Sequence, residues 1–378
     1  MLACRQPWIL RYHPLTMDFL LLGVLLLYLT LITILLYGIG RTRDDSSNTS
    51  RPFVSVIVAA RNEEQTLPNC LSSLAAQTYP PALFEVIVVN DHSEDRTAGV
   101  CSAFASRFQH FRTLVPEPDP LLRGKTNALA RGIDAARGEI IMVTDADCTV
   151  PPTWIESTVR RYNPKVGLVG GVTVQRATGP FTGAQSLDWA FLLGLAASAV
   201  NLRNPLSTIG NNLSFRRLAY EEVGGYRSIK FSVTEDYALF QAIVQTGSWE
   251  YYYLLDPSHL VVSEPCSTLR ELVRQKQRWG KGGLDMKASG LAVMAIGFLM
   301  HAGIVGGLLL GAWELSASVF LGKAIGDYTF LHAVLKRIDR LQDRKYFYWF
   351  ELYYLLYVLL LPFVVFFGGK VRWKGREF

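Results

Sequence analysis

"IIMVTDADCTV", residues 140–150, is the stretch on which the reading of the chain turns. Five largely β-forming residues, Ile140 to Thr144, run straight into two carboxylates one residue apart, Asp145 and Asp147. In extended backbone, residues i and i+2 point to the same side, so the stretch predicts a buried strand ending in a paired acidic site. Alone, a solvated turn after a strand would read the same way, so the neighbouring segments must decide.

Those segments alternate. "FVSVIVAA" (53–60) is a β-branched run, and Leu67, Leu71 and Leu74 after it recur at helical spacing. "FEVIVVN" (84–90) and "FRTLV" (111–115) are further strands, with a helix expected in "RTAGVCSAFASRF" between them. "GKTNALARGIDAAR" (124–137) reads as a helix that turns Ala128, Ile133 and Ala136 inward, and the opening strand follows it. The fold class expected is α/β, a mainly parallel sheet with helices on both faces. In such sheets the ligand crevice lies outside the carboxyl ends of the strands. Three strand ends carry polar groups: Arg61, Asn62 and Glu63; Asp91; and Asp145 with Asp147. The G-x-G-x-x-G and G-x-x-x-x-G-K-[ST] patterns are both missing, so a dinucleotide site or a P-loop is not indicated.

Half of the 378 residues are hydrophobic, and 38 basic against 32 acidic residues leave a formal net charge of +6. No dense Lys/Arg block precedes the last third, which argues against a nucleic-acid partner. The basic residues border apolar stretches instead, the pattern of a membrane surface. Phe19 to Ile39 is free of charge and long enough for the roughly 20 residues a bilayer crossing needs, so it reads as an anchor. Its apolar run exceeds the about 15 residues of a secretory signal, and Met17 just before it is expected as the native start. Three more apolar segments follow at 291–310, 313–335 and 352–367; Glu314, Lys323 and Asp327 interrupt the middle one, which gives two to three spans. "KRIDRLQDRK" (336–345) and the tail "KVRWKGREF" are both basic and prefer the cytoplasmic side. The five cysteines show no C-x-x-C spacing and are expected as reduced thiols in a cytosolic domain.

The stretches "VSVIVAARNEE", "VIVVNDHSEDRT", "GKTNALARGI", "ARGEIIMVTDADC", "GNNLSFRR", "EEVGGYRS", "TEDYAL" and "QKQRW" stand in the order of glycosyltransferase family 2. Over Pro52 to Trp279 the chain resembles that family, whose domain has the GT-A fold. One departure is that the family's common Asp-Asp-Gly-Ser is Asn90, Asp91, His92, Ser93 here. The overall layout is similar to bacterial lipid and carotenoid glucosyltransferases.

The resemblance implies a nucleotide diphosphate sugar as donor, expected as a UDP-sugar, with Mg²⁺ or Mn²⁺ bridging its phosphates. Such a cation takes oxygen ligands from one or two carboxylates plus the phosphates, which suits Asp145 and Asp147. By resemblance Asp91 meets the base or ribose, Glu63 lines the nucleoside pocket, and Asp236 of "TEDY" is the base that takes the acceptor's proton, with Glu235 the neighbouring candidate. Glu63 and Asp236 have a local alternative each, as helix-start acids. Lys125 reads equally well as a phosphate partner or an exposed helix-start lysine. Gln275, Arg278 and Trp279 stand at i, i+3 and i+4, one helix face that can offer a guanidinium to the diphosphate and an indole to a sugar or lipid head group. Leu269, Leu272 and Lys276 make a stripe beside it, and Arg270, Arg274, Lys276 and Lys281 make the segment basic, as in a helix lying at the headgroup layer. Asn211, in a Gly- and Asn-rich loop, is expected on the acceptor side. "DWAFLLGLAASAV" (188–200) is too short to span and is expected in the core.

The domains expected are an anchor at 17–41, a GT-A domain at 51–266, an interfacial helix at 267–285 and a membrane region at 289–370. The function expected is an inverting hexosyltransferase of the bacterial inner membrane, multi-pass, its catalytic domain cytoplasmic and its acceptor a lipid hydroxyl. A processive polysaccharide synthase is the alternative, disfavoured because at most about four spans are too few to wall a polymer channel. A non-catalytic membrane adaptor is the third, opposed by the joint presence of Asp91, Asp145, Asp147, Asp236 and Arg278.

Overall fold

The computed structural model describes residues 14–41 and 48–369, with 372–373 and 376–377. The expectations for Cys4 and for most of the basic tail lie outside these residues. After α1 (Pro14–Gly40) the chain alternates through β1 (Val54–Ala60), α2 (Leu67–Ala75), β2 (Phe84–Asn90), α3 (Thr97–Arg107), β3 (Phe111–Leu114), α4 (Gly124–Ala135) and β4 (Ile140–Asp145). The next part is less regular: β5 (Cys148–Thr149), α5 (Trp154–Val159), β6 (Val166–Gly171), β7 (Thr173–Gln175), α6 (Pro180–Asn201), β8 (Leu213–Arg216), α7 (Arg217–Glu222), α8 (Gly225–Ser228), α9 (Glu235–Thr246), β9 (Glu250–Leu254) and β10 (Val261–Ser263). Four long helices close the described chain: α10 (Leu269–Gly283), α11 (Ala288–Leu309), α12 (Trp313–Arg337) and α13 (Phe347–Phe367).

The main sheet has seven strands in the order β3-β2-β1-β4-β8-β6-β9. β1 to β4 are parallel, β6 and β9 pair parallel, and β8 runs antiparallel to both of its neighbours. Both faces are covered, which is why β1 and β2 are near-continuous apolar runs. Ile57, Ile87 and Val143 pack on one side with Ala128 and Ile133 of α4; Val56, Val58, Val86 and Met142 pack on the other with Leu67, Leu71 and Leu74 of α2. The chain winds from β1 outward to β3 and then returns to β4 on the other side of β1. That reversal opens the crevice at the strand ends, where Ala60 is in register with Asn90 and Ala59 with Asp145. A small sheet, β5-β10-β7, adjoins this edge.

Among the described residues, three helices are long and apolar enough to cross a membrane: Met17–Gly40, Ala288–Leu309 and Leu341–Phe367. The core segment expected at 188–200 belongs to a longer helix, α6, at 180–201, buried along most of its length. It docks on α1, where Ser198 Oγ donates to the Leu35 carbonyl at 2.8 Å and Asn201 Nδ2 to the Gly38 carbonyl at 3.0 Å. α12 carries the interrupting charges foreseen from the sequence, but Lys323 and Asp327 are turned inward and fully buried.

Candidate active site

Asp145 ends β4, and Lys125 opens α4 on the adjacent side of the crevice. Gly124, in the left-handed region at φ 56°, makes the turn that delivers it. Lys125 Nζ lies 2.7 Å from Asp145 Oδ1 and 3.1 Å from Glu235 Oε1. Burial alone would discharge this ammonium, but Asp145 and Glu235 outweigh it and hold its pKa above the usual lysine range. Lys125 is therefore a largely buried bridge, not an exposed helix-start lysine.

The Asp147 carboxylate is met by Ser263 Oγ at 3.5 Å and Cys148 Sγ at 3.4 Å. Burial, then the charges of Asp147 and Asp145, raise the Cys70 and Cys148 thiols, so both stay protonated. Among the described residues no group of three or more His, Cys, Asp or Glu side chains is arranged to hold a metal. What the strand end offers is two hard carboxylates, a donor set that fits a Mg²⁺ or Mn²⁺ ion whose remaining ligands come from phosphates.

Asp236 sits in the first turn of α9. Its Oδ2 accepts from Gly210 N at 2.6 Å and its Oδ1 from Tyr237 N at 2.8 Å. A Cβ on Gly210 would stand 2.9 Å from Asp236 Cβ, so this approach requires glycine. Burial, and secondarily Glu235, push the Asp236 carboxyl up to about 6, with Lys125 opposing. Asn211 follows Gly210, and its Oδ1 accepts from Thr173 Oγ1 at 2.8 Å. Asn212 fixes the turn by donating to the Val172 and His259 carbonyls, each at 2.8 Å, and by accepting from Trp154 Nε1 at 2.9 Å. The sequence offered Glu235 only as a neighbouring candidate for the base, not as a partner of Lys125, and did not assign Gly210; the only linear signal for either role was adjacency to an assigned residue.

At the other end of the crevice Asp91 is buried, its amide donating to the Ala60 carbonyl at 2.8 Å and its carbonyl accepting from Arg61 Nη1 at 3.0 Å. Asn62 N donates to Ser93 Oγ at 3.0 Å and Glu94 N to Asn62 Oδ1 at 2.9 Å, so the loops after β1 and β2 are tied together. Glu63 Oε2 accepts from Thr66 Oγ1 at 2.6 Å, which gives it the local helix-start contact as well.

α10 begins with a capping box between Thr268 and Glu271. Gln275, Arg278 and Trp279 lie half-buried on one face, as their spacing predicts, and the charge of Arg278 reaches Asp236. Lys276 corrects the surface reading of this helix. It is buried, pairs with Asp188 of α6, and holds its ammonium 4.6 Å from the Trp279 ring centroid and 4.7 Å from that of Tyr357. Trp279 also packs on Trp189 at 5.2 Å. Leu272, Lys276 and Gly280 form the buried stripe. A Cβ at Gly280 would strike Val365 of α13, and one at Gly282 would strike Thr234, so two glycines let α10 wedge between a long apolar helix and the Thr234-Glu235-Asp236 turn.

Sheet order, strand-end carboxylates and the acids that open α9 are those of a glycosyltransferase domain of GT-A fold. Residues 55–237 match the model of glycosyl transferase family 2. Among its relatives is Glycosyltransferase AglE of Haloferax volcanii, 28% identical over 62% of this chain and 74% of its own. Poly-beta-1,6-N-acetyl-D-glucosamine synthase of Staphylococcus epidermidis is 29% identical over 62% of this chain and 55% of its own. Beta-monoglucosyldiacylglycerol synthase of Trichormus variabilis is 28% identical over 62% and 49%. The match thus spans about half the length of the last two. A mannosyltransferase of Pyrobaculum calidifontis, solved with GDP-Man and Mn²⁺, superposes with a TM-score of 0.62, covering 94% of this chain and 100% of that one at 19% identity, which shows a shared fold.

Proposed function

We propose that this chain is a membrane-bound inverting glycosyltransferase that moves a hexosyl group from a nucleotide diphosphate sugar, UDP-linked in our reading, to a lipid hydroxyl at the cytoplasmic face of a bacterial inner membrane. The observation that carries this reading is the wedge of α10 between α13 and Thr234. It brings the charge of Arg278 to bear on Asp236 and sets the same helix, through Gly280, against an apolar helix long enough to span. An acceptor anchored in the bilayer would present its hydroxyl at that junction.

In this reading Asp91 and Glu63 hold the nucleoside, while Lys125, Gln275 and Arg278 face the diphosphate charge. Asp145 and Asp147 would hold Mg²⁺ or Mn²⁺, which supplies positive charge to the leaving diphosphate. Asp236 takes the proton from the acceptor hydroxyl as that oxygen attacks the anomeric carbon, with Asn211 and Trp279 orienting the acceptor. Residues 17–41 and 289–370 anchor the protein, 51–266 form the GT-A domain and 267–285 the interfacial helix. Support comes from the relative that is a diacylglycerol glucolipid synthase; the polysaccharide synthase among the relatives makes polymer the competing outcome. Purified protein, host lipid extract, Mn²⁺ and a panel of sugar nucleotides, with products identified by mass spectrometry, test the reading. A new glycolipid is expected, and a lipid-free polymer as sole product would overturn it.

A further inference from the structure

Gln175 is fully buried, yet among the described residues neither its amide oxygen nor its amide nitrogen has a hydrogen-bond partner. An amide buried with both ends unmet is costly, and native structures keep few of them. Its position tells what could meet it. Gln175 ends β7 in register with Ser263 of β10, which is in register with Cys148 of β5. Residues in register on neighbouring strands project from the same face, so the three side chains form one row. The other two members of that row both touch the Asp147 carboxylate, Cys148 Sγ at 3.4 Å and Ser263 Oγ at 3.5 Å. Gln175 stands one strand further along, about 4.8 Å beyond Ser263. Thr173, two residues back on the same face, binds Asn211, the neighbour of the Gly210 amide that holds Asp236. The orphaned amide therefore lies on a face that touches the acidic pair in one direction and the loop of the proton acceptor in the other.

A carboxamide carries two donors and an acceptor, which matches a hydroxyl that both donates and accepts. We propose that Gln175 reads a ring hydroxyl of a sugar at the reaction centre, exchanging hydrogen bonds that the protein itself leaves open. The inference rests on the sugar-transfer reading above and adds to it a residue that selects among sugars. The sugar is either the one carried by the donor or one borne by the acceptor.

The test is calorimetric titration of the full-length protein in detergent with Mn²⁺, comparing a nucleoside diphosphate with the matching intact sugar nucleotide, for wild type, Gln175→Leu and Gln175→Met. Because the amide has no protein partner, both variants should melt no earlier than wild type. Nucleoside diphosphate affinity should be unchanged, and the sugar nucleotide should bind about tenfold more weakly. Unchanged donor affinity with an acceptor KM about tenfold higher supports the same hydroxyl contact and assigns it to the acceptor. Unchanged affinities and KM values, or earlier melting with equal losses for both ligands, would overturn the proposal. A wild-type protein that binds no sugar nucleotide in a UDP- and GDP-linked panel would instead bring down the parent reading, and this inference with it.

Discussion

The ammonium of Lys125 lies 2.7 Å from Asp145 Oδ1 and reaches Glu235 Oε1 at 3.1 Å, so one cation joins the acidic strand end to the turn that carries Asp236. Lys125→Met would leave the largely buried Glu235 and the one-third-exposed Asp145 without their shared partner. A stability loss of about 2 kcal/mol is expected, read by chemical denaturation in detergent. The same change removes a charge that pulls the Asp236 pKa down, so the acid limb of kcat/KM should move to higher pH. A variant with wild-type stability and an unmoved limb would show that the bridge has no energetic weight.

Asp236 itself gives a pH dependence with a definite sign. Burial raises its carboxyl to about 6, above the roughly 3.9 of an unfolded aspartate. Between those values the folded protein binds the extra proton, so this group's contribution to stability is full below about 3.9 and is lost as pH rises through about 6. Activity runs the other way, because only the carboxylate accepts a proton: kcat/KM should climb through pH about 6 and then level. Asp236→Asn should abolish transfer and, because it also loses one of two amide acceptors, its stability deficit against wild type should be smaller at about pH 8 than at about pH 4. An active variant, or a deficit that grows from about pH 4 to about pH 8, would contradict this reading.

The parallel half of the fold was legible because strands covered on both faces are near-continuous apolar runs, and β1, β2 and β4 are, apart from Ser55 and Glu85, which bond each other, and the polar strand ends. The acids at their ends followed from where such sheets bind ligands. What stayed hidden depends on contacts between distant segments. Lys276 sits in a run of basic residues, and nothing near it in the chain announces that Asp188, 88 residues earlier, would bury it. Gln175 lies in a three-residue strand, too short to show a period. Glu235 was overshadowed by its neighbour, since a line of sequence does not show which of two adjacent acids faces Lys125. The Lys323 and Asp327 charges looked like an interruption of a span because Glu351, on another helix, cannot be seen as their partner from spacing.

Gly210 donates its amide to Asp236 and has no room for a side chain, as a Cβ there would stand 2.9 Å from Asp236 Cβ and 3.1 Å from its Oδ2. Gly210→Ala should therefore displace the proton acceptor without touching the donor site. A misplacement of about 1 Å can lower a rate about a hundredfold, so kcat should fall to that extent while the sugar nucleotide Kd holds. Equal losses in both would place Gly210 in donor binding instead.

Within the long helices, Lys323 Nζ lies 2.7 Å from Asp327 Oδ2 and 2.6 Å from Glu351 Oε2, and Tyr28 of α1 donates to Asp327 Oδ1 at 2.5 Å. The cluster fastens α1, α12 and α13 through groups that could not face lipid singly. Lys323→Met strips the cation and leaves two buried carboxylates facing each other, a loss expected at about 3–5 kcal/mol. Adding Asp327→Asn and Glu351→Gln removes those charges, and most of the stability should return, since a neutral cluster of the same shape carries no uncompensated ion. Thermal unfolding of the single and triple variants in one detergent decides the matter. If the single variant melts with the wild type, the ion pairs do not hold these helices together; if the triple variant melts no later than the single one, the cost of stranded charge is not what the lysine relieves.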